Sequence, residues 1–452
     1  MKIVPFVHEG LGNSSYLVGL SDNSALMIDP DRSVQRYLDA ASERGWRIDA
    51  VLETHLHADF VTGAHEIAAA LGARLLVPRD AHSRLSHEPV DGAQRFTFDG
   101  VEIEAVGSPG HTPEHTSYVA RTASHPPALF SGGSLIVGGA ARTDLISPDM
   151  TDTLSRAQFR TLKTAFGALP DETWLYPTHG GGSFCSAGSG STRTSTLGAE
   201  RASNPLLAFD SEDEFAASFP TTFPSVPAYY SRMRAFNQAG PRLRRDIQPP
   251  PALSPVDFAA ARADAVVIDA RPMDAYATSH ISHSISIAFR DVFAVWLGWL
   301  VPANARLLFL TGDTPLQRVV DESLLVGYEQ FAGVLEGGLR AWEDAGLPVA
   351  SARIVGAAEA RRSLLDGATA LDVREPDEYS SGHIPDAIHV PLGELAERAD
   401  EIPRDRPVVA YCGHGERGAT AVSLLERAGR TALLNLDGGL DAWRDAGFSI
   451  AT

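Results

Sequence analysis

Asp49-Ala50-Val51-Leu52-Glu53-Thr54-His55-Leu56-His57-Ala58-Asp59-Phe60 decides how the first part of the chain is read. Its apolar start predicts a strand, and its end a loop carrying His-x-His-x-Asp. Alternate residues of an extended chain point to the same side, so His55, His57 and Asp59 can converge on one point while the strand end holds them. That arrangement suits a metal ion. Two further histidines sit on glycine-flanked turns after apolar segments, in Gly110-His111-Thr112-Pro113 and Pro177-Thr178-His179-Gly180-Gly181. Glycine lets the backbone turn tightly beside an ion. Of the 15 histidines, His65, His82, His87, His115 and His125 lack such a context and read as structural or surface residues.

Outward from this stretch, the first 180 or so residues hold short apolar segments separated by Gly, Asn and Asp turns. Helical patterns cover 62–71 and 155–166, and the mixture predicts two sheets with covering helices. From about Phe184 to Pro255 the chain turns rich in Ser, Thr, Gly and Pro and ends in Pro249-Pro250-Pro251. It reads as an extension of the first domain, with a helix over 228–238, followed by a linker.

Beyond the linker an internal repeat appears. The segment from Gly337 to Gly346, built around Trp342, recurs from Gly438 to Gly447 around Trp443. Upstream, Val266-Val267-Ile268-Asp269-Ala270-Arg271 with Tyr276 and His280-Ile281 is matched by Ala370-Leu371-Asp372-Val373-Arg374 with Tyr379 and His383-Ile384. Two tandem copies of one small α/β domain with a mainly parallel sheet follow. The domains run 1–250, 251–350 and 351–452. That matches the expectation of about three domains for 452 residues at roughly 150 per domain.

Composition narrows the class of function. With 44% hydrophobic and 21% charged residues, collagen-like, coiled-coil and disordered readings are excluded. Lys and Arg number 38 against 57 Asp and Glu, a formal charge of -19, whose field repels nucleic acid and anionic lipid alike. The apolar run Val292–Val301 is too short to span a bilayer and reads as a buried helix. The start MKIVPFVHEG does not read as a secretory signal. The two cysteines, Cys185 and Cys412, do not form a disulfide framework. A reducing, cytoplasmic setting is expected.

In the last copy the predicted strand 407–411 leads into Cys412-Gly413-His414-Gly415-Glu416-Arg417-Gly418, and 419–428 reads as a helix with Val422, Leu424 and Leu425 buried. A cysteine at a strand end, cupped by a glycine-rich loop and the start of a helix, is poised as a thiolate nucleophile. Arg417 and the amides of the loop, at Gly413 and Gly415, would bind an oxyanion or a persulfide anion. Cys185 has no such setting and reads as a structural thiol. In the middle copy the matching position is Thr311, without a thiol or the loop arginine, so that domain is expected to be catalytically silent.

The histidine motifs resemble the successive ligand motifs of the metallo-β-lactamase superfamily over about residues 1–250. Thr54 to Asp59, Ser108 to Pro113 and Arg142-Thr143-Asp144 are most similar to its persulfide dioxygenase branch. The repeat resembles the rhodanese family, in Asp372-Val373-Arg374-Glu375, Gly382-His383-Ile384-Pro385 and the loop from Cys412 to Arg417. These resemblances imply an αββα sandwich followed by one inactive and one active rhodanese domain. They imply a mononuclear Fe(II) on His55 and His111. The family's third ligand, an aspartate, falls at Gly133 in Phe130-Ser131-Gly132-Gly133-Ser134, and Phe60 stands where the superfamily has a histidine for a second metal. Three states stay open: a reduced iron site that adds His57, with Asp59 and His179 able to re-aim; another single metal such as zinc; or no metal. Arg142 can serve an anionic substrate or a structural salt bridge.

The implied function is oxidation of a small-molecule thiol persulfide by O2 to sulfite, with sulfane sulfur passed on Cys412 to give thiosulfate. Neither nucleic acid nor membrane is an expected partner, and the resemblance suggests self-association. The rival readings are a metal-dependent thioester or lactone hydrolase of the glyoxalase II type, and a metal-free lactamase-fold domain serving an active rhodanese.

Overall fold

The structure, a computed structural model, describes residues 1–187 and 192–452. It contains two compact units, Met1–Ile247 with Leu324–Gly327, and Gln248–Ser323 with Tyr328–Thr452.

The first unit is built on two six-stranded sheets. One runs in the order Lys2–His8, Asn13–Gly19, Ser24–Ile28, Arg47–Leu52, Arg74–Pro78, Glu88–Val90, antiparallel at its start and parallel from Ser24–Ile28 onward. The other runs Ser195–Thr196, Trp174–Pro177, Ala128–Gly132, Thr116–Arg121, Val101–Gly107, Arg95–Phe98. The period of two along each strand sorts their side chains into separate cores. Tyr16, Leu26, Leu52 and Leu76 meet Ile103, Tyr118 and Phe130 of the other sheet. The alternate residues Leu17, Met27 and Val51 face Tyr37 and Ile67 of the helices Gln35–Glu43 and Ala64–Leu71. On the far side Val119, Leu129 and Leu175 pack on Leu162, Leu197, Phe215 and Phe219. Helix, sheet, sheet and helix therefore stack as the expected αββα sandwich.

The predicted helices are present with shifted ends. The first starts at Ala64, behind Gly63. The second is Thr151–Arg160, continued by a π-turn Thr161–Ala165 in which the amide of Phe166 reaches back to Thr161. The third is Tyr230–Ala239. The polar stretch before the proline run also forms helices Leu197–Ser203 and Glu212–Ser218, because its scattered Leu and Phe residues complete the outer core.

The second unit holds two five-stranded sheets whose strand pairs are all parallel. Their orders are Ala252–Leu253, Phe331–Leu335, Leu307–Leu310, Val266–Asp269, Ile285–Ser286, and Arg353–Val355, Leu433–Leu436, Val408–Tyr411, Thr369–Asp372, Ile388–His389. The two orders are the same permutation, as the sequence repeat requires. The apolar run ending at Val301 forms the helix Phe293–Leu300, largely buried. Among the described residues no helix is long and apolar enough to cross a membrane.

Candidate functional site

Three loops bring four histidines of the first unit to one end of its sheets. His55 and His57 follow the strand Arg47–Leu52, His111 lies between Val101–Gly107 and Thr116–Arg121, and His179 follows Trp174–Pro177. All four side chains are buried. Asp29, at φ 46, sits beneath them. Its carboxylate accepts from the amide and hydroxyl of Thr54, each at 2.7 Å, and from the hydroxyl of Thr178, so one buried anion ties both sheets to the site.

Ligand-capable atoms of His55, His111 and His179 lie within 4.8 Å of one another; so do those of Asp29, His55 and His57, and those of His57, Asp59 and His179. The expected His55, His57 and Asp59 therefore share the region without forming one cluster by themselves. His57 turns its Nε2 to Glu53 at 3.1 Å and Asp29 at 3.5 Å, off the line of good hydrogen bonds but within strong charge attraction. Burial works against the charged ring, yet Asp29 and Glu53 outweigh it and raise the His57 pKa to about 10. Burial and neighbouring histidines push His55 well below its usual value, and burial with His179 pushes His111 down to about 3. Those two rings are neutral, the form that binds metals. The Nε2 of His111 is buried with no hydrogen-bond partner among the described residues. Three converging imidazoles with an orphaned nitrogen fit a single divalent ion.

Several supports carry no motif in the sequence. Asn237 donates to the carbonyls of His57 (2.8 Å) and Phe60 (2.9 Å) and accepts from the Thr62 amide (3.0 Å). Tyr229 donates to the Asp59 carbonyl. Arg234 grips Glu114, which accepts from the Leu56 amide. The helix Tyr230–Ala239 thus holds the His55–Phe60 loop from outside. Phe60 stacks on His57 at 4.1 Å, and His115 stacks on His55 at 4.9 Å while its Nε2 accepts from the Gly133 amide. Of the two roles open to Arg142, the structural one is observed. Its guanidinium pairs with Asp144, donates to the carbonyls of Phe184 and Pro224, and lies over Phe223.

In the second unit, Cys412 directly follows the buried strand Val408–Tyr411 and is 2% exposed. Gly415 adopts φ 113, a conformation open to glycine, and its amide donates to Cys412 Sγ at 3.1 Å. Because that turn ends at Gly415, the helix begins at Glu416 and runs to Arg427, three residues ahead of the predicted start. The next helix, Gly439–Asp445, clamps the loop from behind: Leu440 donates to the Cys412 carbonyl and Asp441 to that of Gly413. Arg417 forms a two-pronged pair with Glu378 at 2.6 and 2.7 Å. Burial raises the Glu378 carboxyl, but Arg417 holds it below the usual range. The readable signal for this pair was the repeat itself, for in the middle copy Arg417 is matched by Leu316 and Glu378 by Ala275. Cys185 is buried and burial pushes its thiol well up, which suits an inert thiol.

The fold and these two sites define a lactamase-type sandwich joined to a pair of sulfur-loop domains. The family model described as the metallo-beta-lactamase superfamily matches residues 8–179, and the rhodanese-like domain matches residues 254–345 and 357–446. The chain thus carries a metallo-beta-lactamase domain in its first part and two rhodanese-like domains after it. A hydroxyacylglutathione hydrolase of Polaromonas sp. is 33% identical over 37% of this chain and 62% of its own length. The chain thus spans less than two thirds of that relative. A sulfurtransferase of Allochromatium vinosum is 42% identical over 18% of this chain and 75% of its own. The solved metallo-beta-lactamase of Staphylococcus aureus subsp. aureus COL, at 26% identity and a TM-score of 0.64, covers 74% of this chain and 98% of its own.

Proposed function

We propose that the chain is a persulfide dioxygenase joined to a sulfurtransferase, acting on low-molecular-weight thiol persulfides. The observation that carries the sulfur-transfer half is the Gly415 amide aimed at Cys412 Sγ, with Arg417 in the first turn of the helix. That amide donates to the attacking sulfur and holds it at the start of the helix. The Cys412 thiolate attacks the outer sulfur of RSSH: the donor S–S bond breaks, a Cys412 Sγ–S bond forms, and RS⁻ leaves with the proton. Sulfite then attacks the outer sulfur of the enzyme persulfide. A new S–S bond gives thiosulfate, and the Cys412 thiolate returns.

The sulfite comes from the first domain in the balanced reaction RSSH + O2 + H2O → RSH + SO3²⁻ + 2H⁺. An iron ion, held by His55 and His111, would supply the activation of O2 there. The chain's own part is to keep those rings neutral and oriented through Thr54 and the Arg142 carbonyl, and to exclude bulk water from a buried cluster. Asp29 and Glu53 hold the His57 proton. Hydrolysis of thioesters is the second reading, favoured by the likeness to the Polaromonas hydrolase.

The test loads the metal-free protein with ferrous iron and follows oxygen uptake and sulfite on glutathione and coenzyme A persulfides. The expected result is uptake matched by sulfite, with thiosulfate formed only when Cys412 is intact. Turnover of S-acylglutathione by the zinc-loaded protein, with no oxygen uptake by the iron-loaded one, would replace the dioxygenase by the hydrolase.

A further inference from the structure

We infer that the first domain binds its ion through three histidines and no carboxylate, using the Nε2 atoms of His55, His111 and His179. This deepens the metal-dependent reading above and stands or falls on separate observations. The argument starts from which ring nitrogens can carry hydrogen. Thr54 has one hydroxyl hydrogen and Asp29 Oδ2 takes it at 2.7 Å, so the same oxygen, 2.8 Å from His55 Nδ1, can only accept there. His55 Nδ1 therefore carries the hydrogen and Nε2 the lone pair. His111 Nδ1 lies 2.6 Å from the Arg142 carbonyl, again an acceptor alone, which leaves its Nε2 bare. His179 Nδ1 faces Asp59 Oδ2 at 3.1 Å and Asn13 Oδ1 at 3.3 Å, both acceptors.

Three bare nitrogens then point into one buried space. His55 Nε2 and His179 Nε2 stand 3.3 Å apart, where two lone pairs facing each other repel. A shared ion removes the conflict, because metal–nitrogen bonds of about 2.0–2.1 Å at a tetrahedral angle place two nitrogens about 3.3–3.4 Å apart. The separation already matches.

The other candidates face other groups, at ion-pair distance and outside hydrogen-bond geometry. His57 is held by Glu53 and Asp29. Asp59 lies behind His179, on the Nδ1 side, and acts as a positioning residue for that ring. No carboxylate can return at position 133 with the rings as they stand, since a Cβ on Gly133 would lie 2.5 Å from His111 Cδ2. Three neutral ligands leave the full double charge on the ion, one unit more than a site with a carboxylate. The remaining position thus favours an anionic ligand such as a persulfide.

The experiment titrates the metal-free full chain with Co(II), measures uptake by metal analysis and chelator competition, and counts the exchangeable imidazole N–H protons shifted by the ion in the NMR spectrum. Expected are one equivalent of Co(II) and three shifted N–H signals. In His179→Gln one signal is lost and affinity falls by at least about 100-fold. In Asp59→Asn, affinity falls about tenfold with three signals kept. In His57→Gln, three signals remain. Two signals in the parent protein, no stoichiometric binding, or a signal lost in His57→Gln overturns the inference. If the His179 variant fails to fold, the count in the parent protein decides. Failure of oxygen uptake with three signals present would strike the dioxygenase reading alone.

Discussion

The two rhodanese-like copies share a frame and differ in one loop. Asp269 holds Arg271 through two guanidinium nitrogens, as Asp372 holds Arg374, and the arginines reach the carbonyls of Ser279 and Gly382 respectively. Tyr276 stacks on His280 at 3.9 Å and Tyr379 on His383 at 3.8 Å. Trp342 donates to the Pro348 carbonyl and Trp443 to that of Ser449. At the loop the likeness stops. In the last copy the Gly415 amide points at a sulfur; at the matching Thr314 the amide turns back to the Thr311 carbonyl. The ion pair of Arg417 and Glu378 is matched by Leu316 and Ala275. The residues of the shared frame and those of the cysteine loop are therefore separable, and the middle copy has kept only the first set.

The strongest way to break this comparison is at the nucleophile. Cys412→Ser is expected to lower thiosulfate:cyanide sulfur transfer by at least about 10³-fold, since no other group supplies the sulfur-carrying thiolate. Thr311→Cys in that background is expected to restore none of it, because its loop aims no amide and no arginine at the new thiol. A standard cyanide assay on both variants decides, and appreciable transfer by either would show that the loop does not define the site.

The shared frame gives the next largest effect, one of stability. Asp269→Asn and Asp372→Asn each leave a mostly buried arginine without its charge partner, which costs about 3 kcal/mol. The costs should be similar, because arginine side-chain exposure is 11% in one copy and 5% in the other, with both aspartates fully buried. Denaturant unfolding measures this. A large cost in the last copy and none in the middle one would mean that the silent domain has lost the frame as well.

This frame was legible in the sequence because it repeats: two copies of Asp-x-Arg and Tyr at one spacing, each followed downstream by a Gly-Gly-Leu segment with Trp, fix two domains without any knowledge of contacts. The cysteine loop was legible too, since its residues are consecutive. In the first unit the strand ends bearing histidines could be read for the same local reason. What brings His179 against His55, and turns His57 away towards Glu53, depends on Asp29, Asn237 and Tyr229, each tens of residues or more from the loop they hold. Single polar residues in helices or turns have no period or motif to mark them. The stretch beyond Phe184 looked polar by composition, yet Leu197, Leu206, Phe215 and Phe219 anchor it in the outer core.

Glu378 offers a finer cut between the copies. Its carboxylate fixes the Arg417 guanidinium beside the loop, so Glu378→Gln should leave the fold intact and lower sulfur transfer about tenfold, the effect of one charge-assisted pair at about 1.4 kcal/mol. The readout is the split between kcat and KM for thiosulfate. A fall in kcat shows that Arg417 needs its partner to stay aligned. A gain in apparent affinity at unchanged kcat would instead mean that Glu378 competes with the anion.

The smallest expected effect lies where the silent copy meets the helix Glu416–Arg427. Glu426 accepts from the His283 amide at 3.1 Å and lies 2.8 Å from His280 Nε2, while Arg427 donates to the His283 carbonyl. Burial raises the Glu426 carboxyl, but His280 and the His283 amide outweigh it and hold it below the usual range. A carboxyl lowered in the folded state stabilises fully above its unfolded value, near pH 4.3, and loses that contribution as pH falls through the folded value. Glu426→Gln is therefore expected to cost about 1 kcal/mol at pH 7, with the gap to the parent protein closing below about pH 4. Thermal unfolding of both proteins from pH 7 down to 3.5 traces that gap. A difference independent of pH would assign the contact to shape and hydrogen bonding alone, and the middle domain would then brace the helix Glu416–Arg427 without using charge.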